Sequence, residues 1–213
     1  AYAERPEGLI VERDASAERA AALVTALRET LEQKDASALR VLVASSDWRD
    51  AFQEAPEMFA TRTRCRDGGL TAQIVSDDFE TTATLLDDTG TYLYARVNEA
   101  GTLIARAQYT EGAYNGEASV CWFDAQNELY KEYAVTMQGN VCVGGLTVTY
   151  DGAAYTGTLD ESGKSTEQQQ SNANGVVYAY QTGGNRYLYL ENTTMEDFRL
   201  DSAAIGLPAA EIW

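Results

Sequence analysis

The sequence contains no histidine and only three cysteines among 213 residues. Without histidine, a Ser–His–Asp triad, a Cys–His nucleophile pair and a histidine-ligated zinc or iron site are all excluded. The cysteines, Cys65, Cys121 and Cys142, are widely spaced and too few for a four-cysteine zinc or iron–sulfur site. The remaining possibilities are carboxylate chemistry, oxygen-ligated cations, or a protein that is not an enzyme.

Basic residues are also few: 16 against 33 acidic residues, a formal net charge of −17. Such a surface disfavours contact with nucleic-acid phosphates and disfavours docking on anionic membranes through a basic patch. No stretch approaches the ~18 consecutive apolar residues of a membrane-spanning helix. We therefore expect no nucleic-acid partner and no membrane span.

The sequence begins at Ala1 rather than at Met, and its first eight residues lack the apolar core of a signal peptide. We interpret this as a start from which an export signal has been removed. We expect an extracellular or cell-surface protein, namely a bacterial lipoprotein whose lipid anchor lies upstream of Ala1.

The composition changes along the chain near Asp67. Alanine concentrates before this residue, whereas twelve of the thirteen tyrosines lie between Tyr92 and Tyr189. Because alanine favours helices and tyrosine favours strands, we predict a helical part at residues 14–66 and an antiparallel β region at residues 67–213.

Two polar segments are predicted to be mobile. Residues 1–13 are interpreted as a linker that precedes a helix capped by Asp14. Residues 161–174 contain no large apolar residue, so they are predicted to form a mobile loop.

The helical part carries one clear apolar stripe. Leu23, Leu27 and Leu31 recur at the spacing of one helix face. A second helix is predicted after Asp35, and a third helix carries Trp48 and Phe52 and ends before Pro56. We predict that the leucine stripe faces the sheet and that Trp48 or Phe52 closes its edge.

Turn signals recur about every ten residues in the β region, which is the spacing of an antiparallel meander. The predicted fold class is therefore α+β, with short N-terminal helices packed on a large antiparallel β-sheet. An alternative is a cone-shaped fold like that of the NTF2-like superfamily, with residues 20–52 as its opening helices. More strands follow than that fold alone would use.

A weak internal repeat of 26 to 28 residues runs through the middle of the chain. Its Tyr114-Asn115-Gly116 is followed by Trp122, and Asp151-Gly152 precedes Tyr155-Thr156-Gly157. This pattern resembles MORN-type repeats over roughly residues 90–164. The middle copy has Val141-Cys142-Val143-Gly144-Gly145 in place of the Tyr-x-Gly core. The resemblance implies stacked β-hairpins in an open sheet that serves as a scaffold or binding surface.

Pairs of tyrosines at alternate strand positions share one face of their strand. We predict an aromatic platform for a glycan or a peptide, built from these residues: Tyr92, Tyr94, Tyr178, Tyr180, Tyr187 and Tyr189. The alternative is a half-buried sheet face on which the rings only cover the pleated surface.

The acidic clusters around Asp77 and Asp87 suit turn formation better than calcium binding, because the spacing of a calcium loop is absent. We predict no metal, no cofactor and no catalytic residue. The predicted function is non-enzymatic binding or scaffolding at a bacterial cell surface, with a glycan or protein ligand. The alternative is a carboxylate-dependent glycan hydrolase, which requires a close Asp/Glu pair in an aromatic cleft.

The three cysteines are predicted to be reduced. In a simple meander, Cys121 and Cys142 lie two strands apart, about 9.6 Å. A disulfide requires Cα atoms within about 7 Å. Cys65 precedes the tyrosine-rich strands and has no evident partner.

Overall fold

The computed structural model describes residues 7–45, 47–51, 53–56, 61–67, 69–164, 168–171, 177–180, 187–190 and 199–209. The described helices are α1 (Glu7–Glu32), α2 (Ala36–Ala44) and α3 (Asp47–Ala51). Asp35 caps α2, because its Oδ1 accepts a hydrogen bond from the Ala38 amide at 2.9 Å. No described helix is long and apolar enough to cross a membrane.

The predicted boundaries of the helical part need correction. Helix α1 begins at Glu7, inside the segment expected to be a linker, so Asp14 lies within the helix and does not cap it. The sequence permits this start because no proline follows until Pro56, and Gly8 costs the helix only about 1 kcal/mol relative to alanine. Pro56 does not end a helix either, since it is the last residue of a strand. Phe52 lies outside the described residues.

The main sheet is a large antiparallel meander that follows the N-terminal helices. This arrangement confirms the predicted α+β fold class. Ten strands follow one another in space in chain order, except that the short strand β7 pairs only with β6. Their bounds are β1 Gln53–Pro56, β2 Thr61–Asp67, β3 Leu70–Ser76, β4 Glu80–Leu86, β5 Thr91–Asn98, β6 Gly101–Thr110, β7 Ala113–Tyr114, β8 Gly116–Asp124, β9 Leu129–Gln138, β10 Val141–Tyr150 and β11 Ala153–Leu159.

A second sheet of three strands contains β12 (Gln168–Ser171), β13 (Val177–Tyr180) and β14 (Tyr187–Leu190). Strand β12 lies inside the segment 161–174 that was expected to be a loop. Its pairing with β13 uses backbone groups, which need no large apolar side chain. Strand β1 likewise lies inside the part expected to be helical, as an edge strand whose proline stands at its end.

The helices cover one face of the main sheet over β3 to β8. Leu27, Leu31 and Trp48 are at most 1 % exposed there, as the leucine stripe predicted. We call this cluster the helix-side core, and its strand residues are Ala72, Ile74, Ala83, Leu85, Leu93, Ala95, Ile104, Cys121 and Phe123. Two polar contacts fasten the helices to the strands: Arg28 to Asp87 at 3.0 Å and Lys34 to Glu132 at 2.5 Å.

The other face is buried over β5 to β11, where the segment 199–209 lies across it. Leu200, Ile205 and Leu207 pack there on the strands, and the Cys142 amide donates to the Leu200 carbonyl at 3.1 Å. We call this cluster the tail-side core, and its strand residues include Tyr92, Leu103, Ala105, Tyr114, Val120, Tyr133, Val135, Met137, Cys142, Leu146 and Val148.

The two cores overlap on β5, β6 and β8, which are therefore buried on both faces. Cys121 belongs to the helix-side core and Cys142 to the tail-side core, with β9 between their strands. None of the three cysteines forms a disulfide bond, as predicted. Strand β9 keeps Cys121 and Cys142 apart, as predicted. Their location in cores on opposite faces of the sheet also prevents a disulfide between them.

Candidate binding surfaces

Tyr92 and Tyr94 do not form an exposed platform. Tyr92 is 1 % exposed, and its ring stacks on Tyr94 at 6.3 Å between centroids and on the tail-side core. The Tyr114 hydroxyl next to it donates to the Pro208 carbonyl at 3.2 Å. Burial raises the pKa of Tyr92, and it raises the pKa of Tyr114 to about 12. Tyr114 thus holds Pro208 on the sheet, and the burial of Tyr92 corrects the expectation that this ring contacts a ligand.

The other four predicted tyrosines are brought together by the small sheet. The register pairs Tyr178 with Tyr189 and Tyr180 with Tyr187. Because directly paired residues share a face, the four positions form a two-by-two block on one side of this sheet. Their side chains lie outside the described part of the structure. We call these four positions the tyrosine block.

The neighbouring positions in the small sheet follow the same alternation. Gln168 pairs with Tyr180 and Gln170 with Tyr178, so two amide residues extend the face of the tyrosine block. The opposite face carries Val177, Ala179, Leu188 and Leu190. Strand β14 contacts β10 and β11 of the main sheet. The small sheet therefore has one polar aromatic face and one aliphatic face.

A cleft that the sequence did not predict lies where the β5–β6 and β8–β9 turns meet. Its volume is about 130 Å³, and its lining comprises Arg96, Asn98, Ala100, Gly101, Thr102, Leu103, Trp122, Phe123 and Tyr130. Gly101 is required here, since a Cβ at this position would lie 2.2 Å from the Phe123 carbonyl oxygen. Asn98 closes the β5–β6 turn by accepting hydrogen bonds from the amides of residues 100 and 101.

A β-bulge brings Tyr130 to this cleft. Trp122 pairs with Lys131 whereas Phe123 pairs with Leu129, so β9 contains one extra residue at this point. A bulge interrupts the alternation of side chains along a strand and can redirect one of them. The bulged residue, Tyr130, lines the cleft with Trp122. No residue type in β9 identifies this irregularity in the sequence.

Two cations flank the indole of Trp122. The Arg96 guanidinium carbon lies 5.4 Å from the ring centroid, and the Lys131 Nζ lies 4.7 Å from it. The register explains this arrangement, because Arg96, Leu103, Trp122 and Lys131 are successive partners across four strands. The indole Nε1 is buried and has no hydrogen-bond partner among the described residues.

One carboxylate, Glu80, offsets part of this positive charge. Its Oε2 lies 3.5 Å from Arg96 Nε and accepts a hydrogen bond from Asn98 Nδ2 at 3.3 Å. Lys131 is only 8 % exposed. Arg96 and Lys131 therefore place two cationic groups beside the indole of Trp122, and Glu80 places a carboxylate beside Arg96.

The acidic clusters singled out in the sequence form turns, as predicted. Asp77 Oδ1 accepts hydrogen bonds from the Phe79 and Glu80 amides, both at 2.8 Å. Asp87 Oδ1 accepts from Thr89 Oγ1 at 2.6 Å and from the Thr91 amide at 2.9 Å. Partial burial alone would raise the pKa of Asp87, but these hydrogen bonds lower it below its ordinary value.

The repeat residues connect neighbouring hairpins. Asn140 Oδ1 accepts from the Tyr114 amide at 2.8 Å, and Asn115 Oδ1 accepts from the Gly139 amide at 2.8 Å. Gly144, where the middle copy departs from the repeat, lies in a bulge of β10 and has a φ of +70°. These contacts describe the hairpins and do not identify a family.

Comparison with models of protein families, with curated proteins and with solved structures gave no match. The resemblance to MORN-type repeats therefore stays a prediction.

Proposed function

We propose that the protein is an exported, non-enzymatic glycan-binding protein that uses the tyrosine block of the small sheet. The observation that carries this proposal is the backbone register, which pairs Tyr178 with Tyr189 and Tyr180 with Tyr187. Tyrosine offers a rigid apolar ring together with a hydroxyl group. A row of such rings matches a chain of pyranose units, each with an apolar face and polar edges.

The flanking residues favour a glycan over a peptide. Gln168 and Gln170 share the face of the block, and each amide offers both donors and an acceptor. Sugar hydroxyls need such mixed partners. The aliphatic positions on the opposite face suit packing against the main sheet, which β14 contacts.

The cleft beside Trp122 gives no support to the alternative of a glycan hydrolase. A glycosidase needs two carboxylates about 5–9.5 Å apart across the scissile bond. The residues that line the cleft beside Trp122 include no Asp or Glu. Export and location at a bacterial cell surface stay predictions, and fractionation of cells that express the full gene product tests them.

Binding to an immobilised panel of oligosaccharides, including peptidoglycan fragments and β-linked glucans, tests the proposal. The double variant Tyr178→Ala/Tyr189→Ala is expected to weaken binding by about tenfold or more, as loss of aromatic anchors does at other interfaces. Tyr178→Phe/Tyr189→Phe keeps both rings and is expected to retain most of the affinity.

The matched control is Phe79→Ala, which removes an aromatic side chain that is 84 % exposed at the β3–β4 turn. It is expected to leave glycan binding unchanged, and circular dichroism checks that each variant is folded. Binding to no oligosaccharide would contradict the proposal. So would binding to a peptide panel alone, or an equal loss of affinity in the Phe79 variant.

A further inference from the structure

Three of the four large hydrophobic side chains that the described part of the chain exposes lie at one end of the main sheet. They are Phe79 in the β3–β4 turn and Leu129 and Tyr130 at the start of β9; the fourth is Val41 on α2. Single exposed hydrophobic residues are common on protein surfaces, whereas a concentration of them marks an interaction surface. The meander brings these residues to one end, although they are distant in the chain.

The register places the turns at this end side by side. Glu80, next to the β3–β4 turn, pairs with Asn98, next to the β5–β6 turn. Gly101 follows that turn and pairs with Asp124, which precedes the β8–β9 turn. The β10–β11 turn lies at the same end of the antiparallel sheet. We call the end formed by these four turns the turn end. From the β3–β4 turn to the β8–β9 turn it spans four strand spacings, about 19 Å.

The cleft beside Trp122 opens between two of these turns. Its lining includes Ala100 of the β5–β6 turn, and Phe123 and Tyr130 next to the β8–β9 turn. At about 130 Å³ it is well below the 300–1,000 Å³ of pockets for drug-sized ligands, so it accepts a single side chain rather than a whole small molecule. The turn end therefore has a small aromatic cleft near its middle and exposed apolar residues on both sides.

Carboxylates surround these apolar residues. The four turns and the residues that flank them contain no lysine or arginine and seven acidic residues: Asp77, Asp78, Glu80, Glu99, Asp124, Glu128 and Asp151. Glu80 forms an ion pair with Arg96, whereas Asp78, Glu99 and Glu128 are exposed. An apolar centre within a charged rim is the usual anatomy of a protein interface.

Charge selects among the possible partners. A second copy would bring the same carboxylates against these in a protein of net charge −17, and an anionic membrane would repel them as well. Basic residues of a partner would face the exposed carboxylates. Arg96 and Lys131 beside the indole make the cleft itself unsuitable for a basic side chain, so the residue that enters it is apolar. An extended segment of about six residues covers the 19 Å span.

We propose that the turn end binds a short basic segment of a partner protein, with one large apolar side chain of that segment in the cleft. The surface belongs to the main sheet and is separate from the tyrosine block. The proposal therefore does not depend on glycan binding.

Titration of ¹⁵N-labelled protein with synthetic hexapeptides, followed by ¹H–¹⁵N correlation spectra, tests this proposal. The first set has lysine and arginine around a central leucine, methionine or phenylalanine. The second set has glutamate in place of the basic residues, and the third has serine in place of the apolar residue. Only the first set is expected to cause saturable shifts, at the amides of the turn end, and its affinity is expected to fall with added salt.

Variants at the exposed apolar residues identify the surface. Phe79→Ser/Leu129→Ser is expected to weaken binding of the first peptide set by about tenfold or more, as loss of apolar anchors does at other interfaces. Both side chains are exposed, so circular dichroism is expected to show an unchanged fold. Tyr178→Ala/Tyr189→Ala is expected to leave peptide binding unchanged, so this proposal and glycan binding fail or succeed independently.

A matched pair of charge variants tests the carboxylate rim. The first neutralises three exposed carboxylates of the turn end: Asp78→Asn, Glu99→Gln and Glu128→Gln. The control neutralises the same residue types, also exposed, at the opposite end of the sheet: Asp88→Asn, Glu111→Gln and Glu161→Gln. The first variant is expected to weaken binding several-fold and to reduce its salt dependence. The control is expected to have no effect, because its charges lie beyond the Debye length of about 10 Å at 0.1 M salt.

Four results would overturn the proposal. They are no saturable shift with the first peptide set, equal binding of the peptides that lack an apolar residue, equal effects of the two charge variants, and shifts confined to residues outside the turn end. Sedimentation that shows dimers of the free protein, lost in the Phe79→Ser/Leu129→Ser variant, would also overturn it in favour of self-association.

Discussion

Buried thiols and phenols are expected to make this protein sensitive to alkali. Cys121, Cys142, Tyr92 and Tyr114 are each at most 1 % exposed. Burial raises the pKa of both thiols from 9.0 to about 12, and it raises the pKa of Tyr114 from 10.0 to about 12. The pKa of Tyr92 is also raised by burial. Raising the pH therefore favours the unfolded chain, in which these groups ionise freely.

The direction and size of the effect follow from proton linkage. Above the ordinary pKa of each group the unfolded chain binds fewer protons than the folded protein, so stability decreases as the pH rises, until the folded pKa is passed. Each group contributes about 1.4 kcal/mol per pH unit. A pH of about 11 lies two units above the ordinary pKa of each thiol and one unit above that of each phenol. The four groups together are therefore expected to lower the free energy of unfolding by about 8 kcal/mol. A typical domain has only about 5–15 kcal/mol of stability.

Urea unfolding followed by circular dichroism at a series of pH values measures this decrease, and the ultraviolet absorbance of tyrosinate reports ionisation in the same samples. The double variant Cys121→Ala/Cys142→Ala is the control. Between about pH 9 and 10 the thiols contribute most of the decrease, so the variant is expected to lose most of the slope there. The reasoning is wrong if wild-type stability stays constant to about pH 11, or if all tyrosines ionise at their ordinary pKa in folded protein.

Three further changes test other parts of the fold. Leu27→Ala is expected to lower the unfolding free energy by about 2–5 kcal/mol. The control Val41→Ala, at a site that is 72 % exposed, is expected to change it by less than about 0.5 kcal/mol. Equal effects of the two substitutions would mean that α1 is peripheral. Gly101→Ala places a Cβ 2.2 Å from a backbone oxygen and is expected to lower the melting temperature; an unchanged value would contradict the close approach. Because the pKa of Asp87 is lowered in the folded protein, its carboxylate stabilises the fold above its ordinary pKa, and this stabilisation is lost as the pH falls through the folded pKa. Asp87→Asn is therefore expected to make stability less sensitive to acid. Urea unfolding at decreasing pH measures this effect.

The parts of the fold that the sequence predicted depend on local signals. The leucine stripe of α1 and the turn residues between strands act over a few positions, so the helix face and the order of the meander could be inferred without knowledge of tertiary contacts. The start of α1 was missed because the segment after Pro6 was interpreted as a polar linker, although its helix propensity is sufficient.

The cleft could not be predicted, because it depends on register across strands that are distant in the chain. Arg96 and Trp122 meet only because β5, β6 and β8 pair in one alignment. Tyr130 joins them through a bulge that follows from no single residue type. The burial of Tyr92 was likewise not visible, since the core that contains it also includes Leu200, Ile205 and Leu207, which lie more than a hundred residues later in the chain. Alternation shows that two residues share a face but does not show what packs on that face.

The overlap of the two cores determines how rigid the cleft beside Trp122 is. Arg96, Leu103 and Trp122 stand on β5, β6 and β8, whose opposite face is packed against the helices through Ala95, Ile104, Cys121 and Phe123. Strands buried on both faces have little freedom, so the fold itself sets the positions of the three cleft side chains. The tyrosine block belongs to a separate sheet outside this double layer, so the same argument does not extend to it. The cleft and the tyrosine block therefore differ in how much of their geometry the fold provides in advance.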